Sequence, residues 1–269
     1  MLTPAQISAA AQRLREAART ATPIRALTIE HPGFSIEDGY AVQRAWLDLR
    51  LAEGRTIKGH KIGLTSKAMQ SSVGIDEPDY GVLLDDMFID SGASIPAKRF
   101  LAPRVEIELA FRLKRRLAGP NCTLFDALDA TDCIFPAIEI LEARFHMIDP
   151  ETKGVRKVQD SIADNAAVGA LVIGGRPIRP ADVDMQWIAA LCLRNGAIEE
   201  TGVAAAVLGH PAIGVAWLAN KLAAHGVALE AGEILLSGSF IRPVAVRPGD
   251  TIHADYGPHG SVTCHFAAG

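Results

Sequence analysis

The sequence is short of several things, and each shortage excludes something. Four cysteines in 269 residues, at 122, 133, 192 and 264, form no Cys-x-x-Cys pair and no Cys/His spacing of a zinc site. They read as reduced thiols of a cytosolic protein. Charged residues make up only 22%, and a formal net charge of −4 gives no electrostatic case for nucleic acid or an anionic membrane surface. No stretch approaches the roughly 18 uninterrupted apolar residues of a membrane span. The opening "MLTPAQISAAAQRLREAART" sets Gln6, Arg13, Arg15 and Glu16 where an export signal needs an apolar core. A soluble, cytoplasmic globular protein is the expectation, and a hydrophobic content of 49% is enough for a substantial core. The basic run "RLKRR" at 112–116 reads as the solvated end of a strand.

Two helices open the chain. One starts at Thr3-Pro4 and carries Ile7, Ala10, Ala11, Leu14 and Ala18 at helical spacing. The other starts at Ser35, with Asp38 completing a capping box, and stops at Gly54. From residue 56 the texture changes to short apolar runs broken by Gly, Pro and Asp. Strands are predicted at 56–63, 80–84, 104–113, 134–141, 166–174, 191–199, 234–236, 251–255 and 261–266, and helices at 123–131, 180–190 and 211–225. Strands outnumber helices and do not alternate with them, which argues against a doubly wound parallel sheet. The predicted class is α+β: a helical N-terminal section over residues 1–55, then a β-rich catalytic domain over 56–269 with a mixed, mostly antiparallel sheet.

Candidate chemistry centres on "RVEIELAF", residues 104–111. In a strand, Glu106 and Glu108 share one face roughly 6.6–6.8 Å apart. An exposed strand face would account for the alternation. If the face is buried, two carboxylates about 4 Å apart repel by on the order of 4 kcal/mol at an effective dielectric of about 20. Arg104, Arg112 or a divalent cation would then have to compensate. "IFPAIEILEARF", residues 134–145, brings Glu139, Glu142 and Arg144 on a second apolar run. A third carboxylate from it would complete the oxygen set that hard cations such as Mg²⁺ or Mn²⁺ prefer, with positions left open for water or a chelating substrate.

Other polar stretches are candidates for the same pocket, each with an ordinary structural explanation beside it. "KGHKIGLTS" at 58–66 offers Lys61, Thr65 and Ser66, or is a strand running into a turn. "DEPDYG" at 76–81 offers Asp76, Glu77 and Asp79, or is an Asp-rich turn. "QDSIADNAA" at 159–167 offers Asp160, Ser161, Asp164 and Asn165, or is a turn with a helix cap. "SGSFIRP" at 237–243 offers Ser239 beside a glycine suited to close backbone approach, or is a bulge.

Together, "GRTIKGHKIGLTSKAMQ", "DEPDYGVLLDDMF", "PRVEIELAF", "RNGAIEETG", "HPAIGVAWLANKLA" and "GSFIRPV" closely resemble the 2-hydroxypentadienoate hydratase group of the fumarylacetoacetate hydrolase superfamily, over about residues 5 to 266. The resemblance implies a β-sandwich-like roll, a homo-oligomer and a cytoplasmic enzyme of aromatic catabolism. By matching position it makes Glu106, Glu108 and Glu139 the ligands of Mg²⁺ or Mn²⁺, and it places Lys61 and Asp79 in the active site. The implied reaction adds water to a 2-oxo-alkenoate diacid, 2-oxohept-4-ene-1,7-dioate, giving 4-hydroxy-2-oxoheptanedioate. Asp79 would be the general base, and Lys61 the acid or a clamp on the C1 carboxylate or enolate oxygen. Ser161, Ser239 and Arg242 are candidates for substrate binding, and Arg156, Lys157 and Arg242 for the distal carboxylate.

Rival chemistries on the same scaffold are decarboxylation of 2-oxo-3-hexenedioate, hydration of 2-oxopent-4-enoate, and hydrolysis of an acylpyruvate using the adjacent Glu30 and His31. A partner role beside another enzyme of the pathway is the non-catalytic alternative. Cys133 and His146 lie near the metal segments and are assigned no role.

Overall fold

The computed structural model describes residues 1–268. In chain order it forms α1 (Pro4–Thr20), α2 (Leu27–Glu30), α3 (Ile36–Ala52), β1 (Ile57–Gly63), α4 (Lys67–Val73), β2 (Asp79–Leu84), β3 (Phe88–Asp90) and β4 (Ser94–Ile95). There follow β5 (Arg104–Leu113), α5 (Leu124–Ala130), β6 (Thr131–Leu141), α6 (Val158–Ala163), β7 (Val168–Ile173), β8 (Ala189–Arg194) and β9 (Ala197–Val203). The chain closes with α7 (Pro211–Ala223), β10 (Ile234–Leu236), β11 (Val244–Ala245), β12 (Thr251–Asp255) and β13 (Ser261–Phe266). The class is α+β, as expected. No helix among the described residues is long and apolar enough to cross a membrane.

The helix starts are fixed locally. Thr3 accepts from the Gln6 backbone N–H while the Gln6 side chain accepts from the Thr3 backbone, and Ser35 and Asp38 repeat the arrangement at α3. The strands form two sheets, ordered β2-β1-β10-β5-β6-β7-β3, with β11 also on β5, and β4-β13-β12-β8-β9. Only β1·β10, β3·β7 and β4·β13 are parallel.

Three predicted elements come out differently. The strand expected over 191–199 is a hairpin, β8 and β9, turned at Asn195-Gly196, where both residues take positive φ (54° and 82°). Asn-Gly is the dipeptide that such two-residue turns select, because both positions need left-handed backbone. The helix expected over 180–190 is two short 3₁₀ turns, Pro180–Asp182 and Met185–Trp187, followed by β8. From Ile188 the buried residues alternate (Ile188, Ala190, Cys192), which is a strand period. At the start of the strand expected over 166–174, residues 165–167 instead form a turn with positive φ at all three positions. The short α2, α4, α6, β3, β4 and β11 were not anticipated; most are too brief to show a period.

The two faces of β5 set the architecture. Val105, Ile107, Leu109 and Phe111 point into a core shared with Ile252, Ala254 and Val262 of the second sheet. The opposite face of the first sheet, with Ala110, Ala137 and Leu236, packs with Leu14, Val42 and Trp46 of the N-terminal helices. The face carrying Glu106 and Glu108 is therefore covered, and the exposed-strand explanation is excluded.

Tyr256, just past β12, fastens the sheets together beneath that face. Its hydroxyl donates to the Glu108 carbonyl at 2.6 Å, lies 2.9 Å from the Ala137 carbonyl, and accepts from the Ala137 N–H at 3.3 Å. Tyr256→Phe is expected to destabilise the protein by about 1–3 kcal/mol, the cost of leaving buried backbone groups unsatisfied. Urea unfolding would check this: the midpoint should fall at constant m-value, and an unmoved midpoint would show that the hydroxyl contributes nothing.

Candidate metal centre

Strand register builds the centre. In the β5·β6 pairing Glu106 stands directly opposite Glu139, and Glu108 is one step along the same face. Like charges directly opposite are the least favourable cross-strand pair. Here the three carboxylates offer oxygens that all lie within 4.8 Å of one another. Glu108 and Glu139 are fully buried and Glu106 half-buried.

The surroundings do not neutralise them. Both oxygens of Glu139 and Oε1 of Glu108 lack a hydrogen-bond partner among the described residues. The other Glu108 oxygen accepts from the Gly238 N–H at 2.8 Å. Of the cations weighed from sequence, Arg112 is taken by Asp132 at the far end of β5. Arg144 pairs with Glu142 at 2.9 Å and Asp164 at 2.7 Å, which removes Glu142 from the set and leaves Glu139 as the third carboxylate. The cation that does arrive is Lys61 of β1. Its Nζ lies 3.4 Å from Glu139 Oε1 and donates to the Ala166 carbonyl at 2.9 Å.

Asp79 completes the group. It opens β2 opposite Gly63, is buried, and its Oδ1 also lacks a partner. Gly63 is required here, because a Cβ would sit 2.2 Å from Asp79 Oδ1 and 3.1 Å from the Lys61 amine. A cleft of about 450 Å³ is lined by Ile36, Tyr40, Ile75, Asp79 and Ile162, and by none of the three glutamates. The larger cavity of about 550 Å³ surrounds Trp46 and Arg144 and contains none of the three glutamates.

The electrostatics follow from burial. Desolvation, then the charge of Glu139, pushes Glu106 up to about 8. Glu108 is raised well above the carboxylate range by burial and by Glu139 and Glu106. Burial also raises Glu139 and Asp79, against the opposing pull of Lys61. Burial alone would lower Lys61, but Glu139, Asp79, Glu106 and Glu108 outweigh it and raise the ammonium above its ordinary value.

The other candidates lie as follows. Ser239 Oγ is within reach of the Ile107 and Ile241 carbonyls and the Ile241 N–H, holding its own loop. Ser161 is half-buried on α6. The Arg242 side chain is 84% exposed and pairs with Glu200. Asp76 is exposed, Glu77 pairs with Lys221, and Ser66 caps α4. Glu30 is held by both terminal nitrogens of Arg13, so it is not free to form a dyad with His31. Sequence reasoning missed Tyr256 and the Ala166 carbonyl; the candidate Asn165 serves structure, its amide bracketing both backbone groups of Val82. No residue-type pattern marks a carbonyl or a single tyrosine in a turn. It also left Ser237 without a role; its hydroxyl is buried with no partner, next to the glycine that binds Glu108.

No protein-family model matches the chain. Its similarity to individual proteins is extensive. It is 61% identical over 256 residues, 95% of this chain and 96% of the relative, to the 2-oxo-hept-4-ene-1,7-dioate hydratase of Escherichia coli. The chain belongs to the 2-hydroxypentadienoate hydratase group. The 4-oxalocrotonate decarboxylase of Pseudomonas putida G7, solved with magnesium and adipate, superposes with a TM-score of 0.93 at 33% identity over 99% of both chains. A fumarylpyruvate hydrolase of Pseudomonas aeruginosa, at 14% identity, TM-score 0.59, and 78% of this chain and 89% of its own, shows a shared fold alone.

For this hydratase-group centre, proton occupancy has a stability consequence. An ordinary glutamate titrates near 4.5, whereas Glu106 in the folded chain titrates at about 8. Between those values the folded site holds protons that the unfolded chain has released, so metal-free stability falls as pH rises through the window. A divalent cation needs the ionised carboxylates and should flatten or reverse that slope. Thermal midpoints from pH 5 to 8, with chelator and with excess Mg²⁺, test this. Parallel curves in the two conditions would sink it.

Proposed function

We propose that the protein is a divalent-metal-dependent hydratase that adds water to 2-oxohept-4-ene-1,7-dioate, giving 4-hydroxy-2-oxoheptanedioate. The observation that carries the reading is the three-carboxylate cluster with oxygens that have no hydrogen-bond partner among the described residues, next to a buried lysine and a buried aspartate. Its donor set suits a hard cation: all oxygen, four carboxylates including Asp79 against one ammonium, and no nitrogen or sulfur ligand. Glu106, Glu108 and Glu139 would hold Mg²⁺ or Mn²⁺. Bound there, the cation would supply Lewis acidity to the keto oxygen of a chelating 2-oxo acid.

The remaining work belongs to the chain's own groups. Lys61 stays charged beside Glu139 and is held by the Ala166 carbonyl, so its ammonium is placed to bind the C1 carboxylate or the oxygen that gains charge at C2. Asp79, raised by burial above the ordinary carboxylate range, is suited to carry protons. It takes a proton from C3 and returns one to C5, which brings the double bond into conjugation with the 2-oxo group. Water then adds its oxygen to C4 and a proton goes to C3; the net change is one H₂O gained. The cleft that Asp79 helps to line would be the approach for substrate and water.

A homo-oligomer in the cytoplasm, within an aromatic catabolic route, is part of the same proposal. Phe125 and Trp187 stand 77% and 70% exposed, apolar surface of the kind that subunit contacts cover.

The test is to supply the seven-carbon dienol with Mg²⁺ and analyse products. The hydroxy-oxo diacid supports the proposal, whereas CO₂ selects the decarboxylase reading and two acid fragments the hydrolase. Asp79→Asn should lower kcat by about 10²- to 10⁴-fold, the usual worth of a general base, while Mg²⁺ binding followed by calorimetry persists. Full turnover in that variant would reject the base assignment.

A further inference from the structure

A diacid held by its 2-oxo-acid end leaves a second carboxylate to be recognised further along the pocket. Most arginines near the ends of β5 and β6 are already engaged: Arg112 with Asp132, Arg144 with Glu142 and Asp164, Arg242 with Glu200. Two have no carboxylate partner among the described residues. Arg104 opens β5 on the same face as Glu106 and Glu108, one strand step from Glu106, and its charge acts on that carboxylate. Arg156 lies between β6 and α6, its backbone N–H bound to the Met147 carbonyl, and its Nη1 is buried with no hydrogen-bond partner.

The charges around Arg156 are Asp164, Asp160 and Arg104. Neither aspartate is free. Asp164 takes the Arg144 guanidinium at 2.7 Å and the Arg144 backbone N–H at 2.8 Å. Asp160 takes the backbone and hydroxyl of Thr28 and the backbone of Lys157. Two guanidiniums thus act on each other, Arg104 from the end of the carboxylate strand and Arg156 with a buried donor unfilled. Burial without a partner is costly for such a group, and it pulls Arg156 below its ordinary value. An incoming carboxylate would fill the donor and relieve the repulsion, in the bidentate geometry that guanidinium offers.

We propose that Arg156, with Arg104 beside it, binds the substrate's distal carboxylate and so separates a seven-carbon diacid from a monoacid. The proposal rests on the hydratase reading above. It sets aside Arg242, which is held at the surface by Glu200, and Lys157, whose side chain is exposed at the cap of α6.

The test uses the full-length, Mg²⁺-loaded protein and compares kcat/KM for the seven-carbon diacid dienol with that for the five-carbon monoacid dienol. Arg156→Gln should lower the diacid-to-monoacid ratio by about 10- to 100-fold, the range for a lost charged hydrogen bond. The loss should fall on KM more than on kcat. Arg156→Lys should lie between, and Arg104→Gln should move the ratio the same way. A ratio within about twofold of the wild type in both glutamine variants overturns the proposal. If Arg156→Gln yields no folded protein, Arg104→Gln and Arg156→Lys decide by the same criterion. A wild type that hydrates neither dienol refutes the hydratase reading, whereas one that hydrates both with an unmoved ratio refutes only the distal subsite.

Discussion

Three carboxylates are forced together by a strand register that cannot be relaxed. Glu106 faces Glu139 because the residues on either side of them are locked into the core between the sheets. A slip of one residue would turn that whole face to the wrong side. Each close pair of ionised carboxylates costs on the order of 4 kcal/mol at an effective dielectric of about 20, against a total folding stability of about 5–15 kcal/mol. One lysine cannot offset three such pairs. Without a cation the site must keep protons, which is what the upward shifts of all three glutamates express.

The rest of the structure makes this arrangement tolerable. The N-terminal helices pack on the carboxylate face of the sheet, and Glu108 and Glu139 are withdrawn from bulk water. Residues 165–167 take left-handed backbone at three consecutive non-glycine positions, a conformation that costs roughly 1–2 kcal/mol per residue. It persists because the Asn165 side chain is clamped to Val82 on both its oxygen and its nitrogen. The turn presents the Ala166 carbonyl to Lys61. Strain there fixes an ammonium against the carboxylates, where a relaxed turn would leave the lysine to find its own position.

What was legible in the sequence depended on period and on residue type. The alternation of β5 placed two glutamates on one face, and the capping residues Thr3 and Ser35 marked the helix starts. Glu139 could not be separated from Glu142 by spacing alone, since both sit on one apolar run. The separation comes from Arg144, which neutralises Glu142 through a contact that also involves Asp164, twenty residues further on. Contacts of that kind carry no local signature. Gly63 illustrates the same limit: its need for a missing Cβ arises from Asp79, sixteen residues away, and no turn or positive φ announces it.

The carboxylate cluster by itself does not choose between hydration and decarboxylation. Both reactions begin with a 2-oxo acid whose C2 oxygen must gain negative charge, and a cation held by three glutamates serves either. The difference lies in where protons are handled. Loss of CO₂ needs an electron sink and a C–C bond aligned with it, with a single proton to restore. Water addition needs a group that takes a proton at C3, gives one at C5 and then presents water to C4, all within reach of one carboxylate. Asp79 sits beside Lys61 with one oxygen unbound, among the residues that line a cleft. On the proposed roles, that placement favours hydration because it sets a burial-raised carboxyl with an unpartnered oxygen next to the ammonium of Lys61.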